Sequence, residues 1–472
     1  MSENLSRRKF LKLSGAAAAT LAASSAPYVM GQNVTNITFW SPSSVENPSM
    51  KEAFQTKISS FNEANDSLNV EMEGVSYDVL REKLSAAVEA GQAPDIVEAG
   101  SQGLRFALDG QTINLKDHIM ADEEFLDQIS PAGRSIMQAE GGDLWWAVIQ
   151  RGTSYCSAGA RKDIMADAGI DPESLTSWSD ILEVGPKLTD PGKNQYATAL
   201  FGTVGDLEQY WSFVKTFQSE PGTDPFLQKT PDGWRSNMAH PITRAATRVF
   251  VDMYNEFGIC HPSSPNLSDE KASSLLGQGE IAMTLPCMGG RRYRLNFPDL
   301  YQPGKEMIEV WPLPKLTTKL GDEYGDRYPE LKGKSGNVGG HLFGFEQAIV
   351  AFEGIDSDAA WSFLREIAGA DFLTELGVAY DQPTGANQEA LWRQATHPDM
   401  QVIGHETAKI AIQNADYITP TGWPMRPTNT IRWELINRNI SKALAGEFTA
   451  DEAIDQADKQ INDILKENGL YG

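Results

Sequence analysis

From Ile37 onward the chain alternates short apolar runs with longer amphipathic ones, the pattern of strands interleaved with helices. Residues 37–40, Ile-Thr-Phe-Trp, are β-branched and aromatic as strands are, and they end in Ser41-Pro42-Ser43-Ser44, a cluster of turn formers. Ser49 caps a helix running to Phe61, and residues 68–75 alternate apolar with polar as a second strand. A helix over 77–90 puts Leu80, Leu84, Ala87 and Val88 on one face, stops at Gly91 with Pro94 beyond, and feeds a short apolar strand over 95–97. This βαβαβ order predicts a doubly wound parallel α/β sheet. Ala99-Gly100-Ser101-Gln102 is then a small polar loop at the carboxyl end of the third strand, where open α/β sheets place their ligands.

The alternation continues. Strands are expected over 145–149, 280–285, 308–311 and 342–345, the last opened by Gly339-Gly340-His341. Helices are expected over 161–169, 178–188, 207–218, 243–257, 358–367, 431–445 and 450–465, with a charged surface excursion over 315–334 and a proline-marked loop at Pro420, Pro424 and Pro427.

Length changes the picture by dividing it: 472 residues exceed one ordinary core and call for two or three units. Charge narrows the partners, because a formal net charge of −24 argues against nucleic acid or anionic lipid. Cys156, Cys260 and Cys287 are an odd number at no metal-ligand spacing, so no disulfide framework or metal site is expected. Ser6-Arg7-Arg8-Lys9-Phe10-Leu11-Lys12, ahead of a mild Ala-rich segment over 13–23, is a twin-arginine export signal, with cleavage expected near Gly31. Losing residues 1–31 would leave a net charge of −27 on a compact protein working in the periplasm or at the cell surface.

Catalytic constellations are missing. There is no P-loop, no G-x-G-x-x-G after a strand, no G-x-S-x-G elbow and no H-E-x-x-H, and the six histidines are scattered. What gathers at strand ends is aromatic and small polar residues, which suit a neutral or mildly polar ligand: ring faces stack on the C–H faces of sugars while Ser, Asn and Gln bond the hydroxyls. Trp40, Trp145, Trp146, Tyr210, Trp211, Trp423 and Trp433 are candidates for that role, with core packing as the alternative for each; Trp178 and Trp361 fall within helical patterns and belong to the core. Arg291-Arg292-Tyr293-Arg294 could receive an anion or be a solvated face.

Several segments resemble the extracellular solute-binding proteins of ABC transporters, in the group that includes sugar and maltodextrin binders. Gly91-Gln92-Ala93-Pro94-Asp95-Ile96-Val97 is similar to that family's "a-G-k-a-P-D-v-v", and Gly142-Asp143-Leu144-Trp145-Trp146-Ala147-Val148 to its "G-k-l-y-a-v-P" without the proline. Gly169-Ile170-Asp171-Pro172 with Ser177-Trp178-Ser179-Asp180-Ile181-Leu182, then Gly277-Gln278-Gly279-Glu280-Ile281-Ala282-Met283-Thr284, Pro312-Leu313-Pro314 and Gly446-Glu447-Phe448-Thr449 with Glu452-Ala453 continue the series in order.

The resemblance implies a type II periplasmic-binding-protein fold, α/β, with two hinged lobes that close over a ligand. It implies lobe 1 over 32–153 plus about 338–395, and lobe 2 over 154–337 plus about 396–472. By position the site would draw on Ser43, Ser44, Ser101, Gln102 and Gln150 from the first lobe, and on Tyr210, Trp211, Met288 and Gly289 from the second. Gly340 and His341 would sit at a crossover, and Trp433 matches an aromatic that stacks on sugar in some members. The expected protein is a monomeric receptor without cofactor or metal, passing a sugar or oligosaccharide to an ABC permease. Departures at Ala160-Arg161-Lys162-Asp163, where the family usually has Tyr-Asn-Lys-Asp, and at Arg291-Arg292 leave a sugar phosphate or other anionic solute as an alternative. A secreted carbohydrate-active enzyme is the rival class, and it would need two carboxylates about 5 to 9.5 Å apart.

Overall fold

The computed structural model describes residues 34–472 apart from 47, 206, 288–296, 302–305 and 345–346. Its first strand, β1 (Thr35–Ser41), buries Ile37, Phe39 and Trp40. α1 (Pro48–Ala64) returns along it with Met50, Phe54, Ile58 and Phe61 buried, an i, i+4, i+8, i+11 stripe, and leads to β2 (Leu68–Gly74). α2 (Tyr77–Glu89) and β3 (Ile96–Glu98) follow, and β1 pairs in parallel with both β2 and β3.

The expected polar loop after β3 is largely helix: Ser101 and Gln102 form the first turn of α3 (Ser101–Leu108). Only Ala99 and Gly100 separate strand from helix, and Gly100 makes that sharp turn at φ +59°, a backbone that glycine alone adopts without penalty. The strand expected over 145–149 is also interrupted. Leu144–Trp145 pairs with Gln138–Ala139, Trp146 turns its indole into the core to donate to the Ile136 carbonyl at 2.6 Å, and β4 (Val148–Ile149) begins after it.

Beyond lie β5 (Thr153–Tyr155), β6 (Ser157–Arg161), α4 (Trp178–Leu188), α5 (Glu208–Lys215), α6 (Pro241–Asn255), β7 (Met283–Thr284) and β8 (Ile308–Pro312). β9 (Gly340–Phe343), β10 (Ala348–Ala351), α7 (Ser357–Ala368), α8 (Ala370–Tyr380), α9 (Val402–Gln413) and β11 (Ile418–Pro420) complete the middle of the chain. A π-helical segment, Thr430–Asn437, runs into α10 (Arg438–Leu444), and α11 (Ala450–Glu467) closes it.

The first sheet has the order β2-β1-β3-β10-β4, and β10 runs antiparallel to both neighbours, so the sheet is mixed rather than wholly parallel. A second sheet, β7-β6-β8, is antiparallel. The 315–334 stretch, expected as a surface excursion, instead buries Leu316, Leu320, Tyr328 and Leu331 completely.

Two hydrophobic cores result. One is built on the first sheet with α1, α7 and α8, the other on β6 and β7 with α4, α5, α6 and α11. Between the two sheets β5, β9 and β11 lie side by side as a third sheet in the order β11-β9-β5. These strands approach closely: a Cβ on Gly340 would fall 2.3 Å from the Tyr155 carbonyl oxygen. The protein is thus two α/β lobes joined by a three-stranded hinge.

Candidate binding site between the lobes

Because β10 is antiparallel to both β3 and β4, strands β1, β3 and β4 all end at one edge of the first sheet. The segments leaving that edge are Ser43-Ser44, Ser101-Gln102 and Gln150-Arg151. At its centre Glu98 is fully buried, an expensive place for a carboxylate unless donors surround it. Ser41 Oγ at 3.1 Å and the Ser43 amide at 3.2 Å donate to one of its oxygens, and the Tyr77 hydroxyl at 3.1 Å and Ser43 Oγ donate to the other. Ser44 Oγ donates to the Ser41 carbonyl at 2.8 Å, so both loop serines are engaged in holding the edge together.

The Arg151 guanidinium lies 4.9 Å from the Tyr380 ring centroid. Burial alone would depress its pKa, but Tyr380, Tyr77 and Glu98 beside it hold it above the usual arginine range. Gln150 is tied by its backbone amide to the Gln347 carbonyl at 3.1 Å, while its fully buried side-chain amide has neither oxygen nor nitrogen bonded. Such a group in a native protein calls for an explanation, and a ligand is one.

Between this edge and the second lobe lies a cavity of about 170 Å³. Arg81 and Ser85 on α2 and Ser101, Gln102 and Arg105 on α3 form one wall, and residues 425–430, just ahead of the π-helical segment, form the other. Arg426 fastens the walls at one end, pairing with Asp109 at 2.7 Å and donating to the Leu108 carbonyl at 3.0 Å. The lining offers hydroxyl, amide and guanidinium donors, a set that orients a polar molecule and carries no nucleophile–base pair. Among the described residues no group of His, Cys, Asp and Glu could hold a metal.

Of the residues expected at the site, Ser101 and Gln102 line this cavity, and Ser43, Ser44 and Gln150 stand at the same sheet edge. Gly340 and His341 are in β9 of the hinge, where His341 Nδ1 meets Ser212 Oγ at 2.7 Å. Burial, with Lys215 and Arg432 nearby, holds the His341 pKa well below its ordinary value. Tyr210 and Trp211 are core residues: the Tyr210 hydroxyl meets Thr247 at 2.8 Å, the Trp211 indole donates to Asn437, and neither ring presents a face to the cavity. Trp145 and Trp146 are likewise buried, whereas Trp423, though largely buried, borders two further spaces between the lobes together with Trp234. Trp40 is 8% exposed with Lys83 Nζ 4.1 Å over its ring, and half-buried Trp433 has the Arg432 guanidinium at 4.3 Å, so one face of each indole is already stacked. Met288, Gly289, Arg291 and Arg292 lie outside the described residues.

Sequence reasoning passed over Arg81, Glu98, Arg105 and Arg151. For Arg81 with Ser85 and for Ser101 with Arg105, the i, i+4 spacing carried the signal, since it sets both members on one helix face.

The family model for bacterial extracellular solute-binding proteins matches residues 41–286, and the chain belongs to that family. A putative binding protein from Brucella abortus is 23% identical over 241 residues, covering 49% of this chain and 53% of its own length. An arginine–tRNA ligase from Korarchaeum cryptofilum is 20% identical over 319 residues, covering 64% of this chain and 41% of that enzyme. The chain therefore spans about half the length of the curated relatives it matches. Among solved structures, the sugar-binding protein MalE from Xanthomonas citri superposes with a TM-score of 0.69 at 17% identity, over 92% of this chain and 98% of that one. At that identity the likeness is one of fold, the two-lobe arrangement of periplasmic binding proteins.

Proposed function

We propose that the protein is the extracytoplasmic receptor of an ABC importer, taking a sugar or oligosaccharide between its lobes and delivering it to the permease without altering it. The observation that carries this reading is the donor-lined cavity whose two walls belong to different lobes and whose lobes share a three-stranded hinge. A ligand bonded to both walls stabilises the closed form by its differential contacts, which is how binding becomes a signal the permease can read. The fold shared with a sugar-binding protein supports the choice of ligand class. The working unit is a monomer, with lobe 1 over 32–153 plus about 338–395 and lobe 2 over 154–337 plus about 396–472, reaching its place by the twin-arginine route.

The test is a thermal-shift panel of mono- and oligosaccharides on the exported protein, followed by calorimetry and small-angle scattering on the hits. A true ligand at about 100 times its Kd adds roughly 2.7 kcal/mol of stability and contracts the scattering envelope as the lobes close. Chromatography of the incubated ligand addresses the enzyme reading, since cleavage products would displace the receptor.

A further inference from the structure

Among the described residues most arginines have carboxylate partners: Arg161 has Asp163, Arg244 and Arg248 share Asp451, Arg327 has Asp252 and Arg365 has Asp122. Arg81 and Arg105 have none among the described residues, and both line the inter-lobe cavity. The third arginine there, Arg426, already has Asp109. No Asp or Glu is among the described residues lining this cavity, in a chain with 64 acidic residues against 40 basic. This space between the lobes has thus been kept clear of the chain's commonest charge, and two exposed guanidiniums face it without a carboxylate partner among the described residues; two wider spaces between the lobes, bordered by Trp234 and Trp423, hold no such arginine.

Unpaired positive charges in a concave, partly desolvated space raise the local potential and favour an anion over a neutral molecule of the same shape. The guanidinium fork also matches the geometry of a carboxylate or phosphate. Each helix adds a hydroxyl one turn away, Ser85 after Arg81 and Ser101 before Arg105. The opposite wall adds Asn429 and Thr430. Charge recognition and hydroxyl recognition are therefore interleaved.

We propose that the cavity takes an anionic saccharide, with Arg81 and Arg105 holding the carboxylate or phosphate and Ser85, Ser101, Gln102 and Asn429 bonding the sugar hydroxyls. This rests on the saccharide-receptor reading and sharpens it to a charge class.

Calorimetry on the exported protein compares matched pairs: trigalacturonate with galactotriose, and glucose 6-phosphate with glucose. The anionic member of at least one pair is expected to bind roughly 10-fold or more tightly than its neutral partner, the worth of a charge-assisted hydrogen bond. The uronate arm identifies a carboxylate and the phosphate arm a phosphoryl group, and either supports the proposal. Raising salt from about 20 to about 200 mM should weaken only the anionic member. Arg81→Gln with Arg105→Gln should cost that member about 10-fold more than it costs the neutral one; both side chains are exposed, so the melting temperature should hold. Neutral and anionic members binding alike, with no effect of the double variant, would overturn the anionic assignment and leave the saccharide receptor standing. Absence of binding by every saccharide, charged or neutral, would overturn both.

Discussion

Glu98 shows how one side chain can organise a site it does not line. Its oxygens collect Ser41, Ser43 and Tyr77, which fixes the turn after β1 against the end of β3 and supplies the negative charge that Arg151 adjoins. Glu98→Ala would leave those donors and the guanidinium without their acceptor. We expect a loss of about 3 kcal/mol in denaturant unfolding, together with weaker ligand binding, whereas Glu98→Gln should recover part of both because an amide oxygen still accepts. Equal stability of the alanine variant and the wild type would sink the assignment. Gln102→Ala is the complementary case: half-buried on the cavity wall, it should weaken binding by roughly 10-fold with the melting temperature unchanged. Ser101 and Gln102 were legible in the sequence because position after a strand marks them. Glu98 was not, since one carboxylate among 64 gains its meaning only when β1 and β3 lie side by side.

Among the elements, those read correctly from sequence carry their own periodicity. α1 has the apolar face its Met50, Phe54, Ile58 and Phe61 stripe predicts, though Ser49, expected as its cap, lies inside the helix; α4 after Ser177 and α11 after Thr449 add capping boxes to their apolar faces. The capping box at the start of α11, where Thr449 and Glu452 bond each other's backbone amides, gives a measurable case: Thr449→Ala should cost about 1 kcal/mol of stability, read from urea midpoints at constant slope. β10 was not legible, because four apolar residues, Ala-Ile-Val-Ala, fit a buried helix turn as well as a central strand. The π-helical turn at Thr430–Asn437 leaves no mark in hydrophobic spacing either, and it reads as the start of an ordinary helix. β9 is set by packing across the hinge. Gly340→Ala would drive a methyl into the Tyr155 carbonyl, so we expect a loss of roughly 1 to 3 kcal/mol, and an unchanged midpoint would show that β5 and β9 can part without cost.

At the scale of the whole molecule, what joins the lobes is also where an ionisable group is buried most awkwardly. Lys215, at the end of α5, reaches β11 and donates to the carbonyls of Thr419 and Pro420 at 3.0 and 2.9 Å, as well as to the Thr419 hydroxyl. Burial pushes its pKa down to about 7; Asp224 opposes that and Arg432 adds to it, while His341 on β9 is neutral. An unfolded lysine keeps its proton up to about pH 10.4, so between that value and about 7 the unfolded chain holds more protons than the folded one. Stability from this group is therefore present at high pH and is lost as pH falls through about 7. Replacing Lys215 with Met removes the titration along with the hydrogen bonds, and the hydrogen bonds contribute an offset that does not vary with pH. The difference in unfolding free energy, wild type minus Lys215→Met, should then rise between about pH 7 and pH 9 by up to about 1.4 kcal/mol per unit. A difference that stays flat over that range would mean that Lys215 remains charged in the folded hinge, with its three acceptors outweighing the cost of burial.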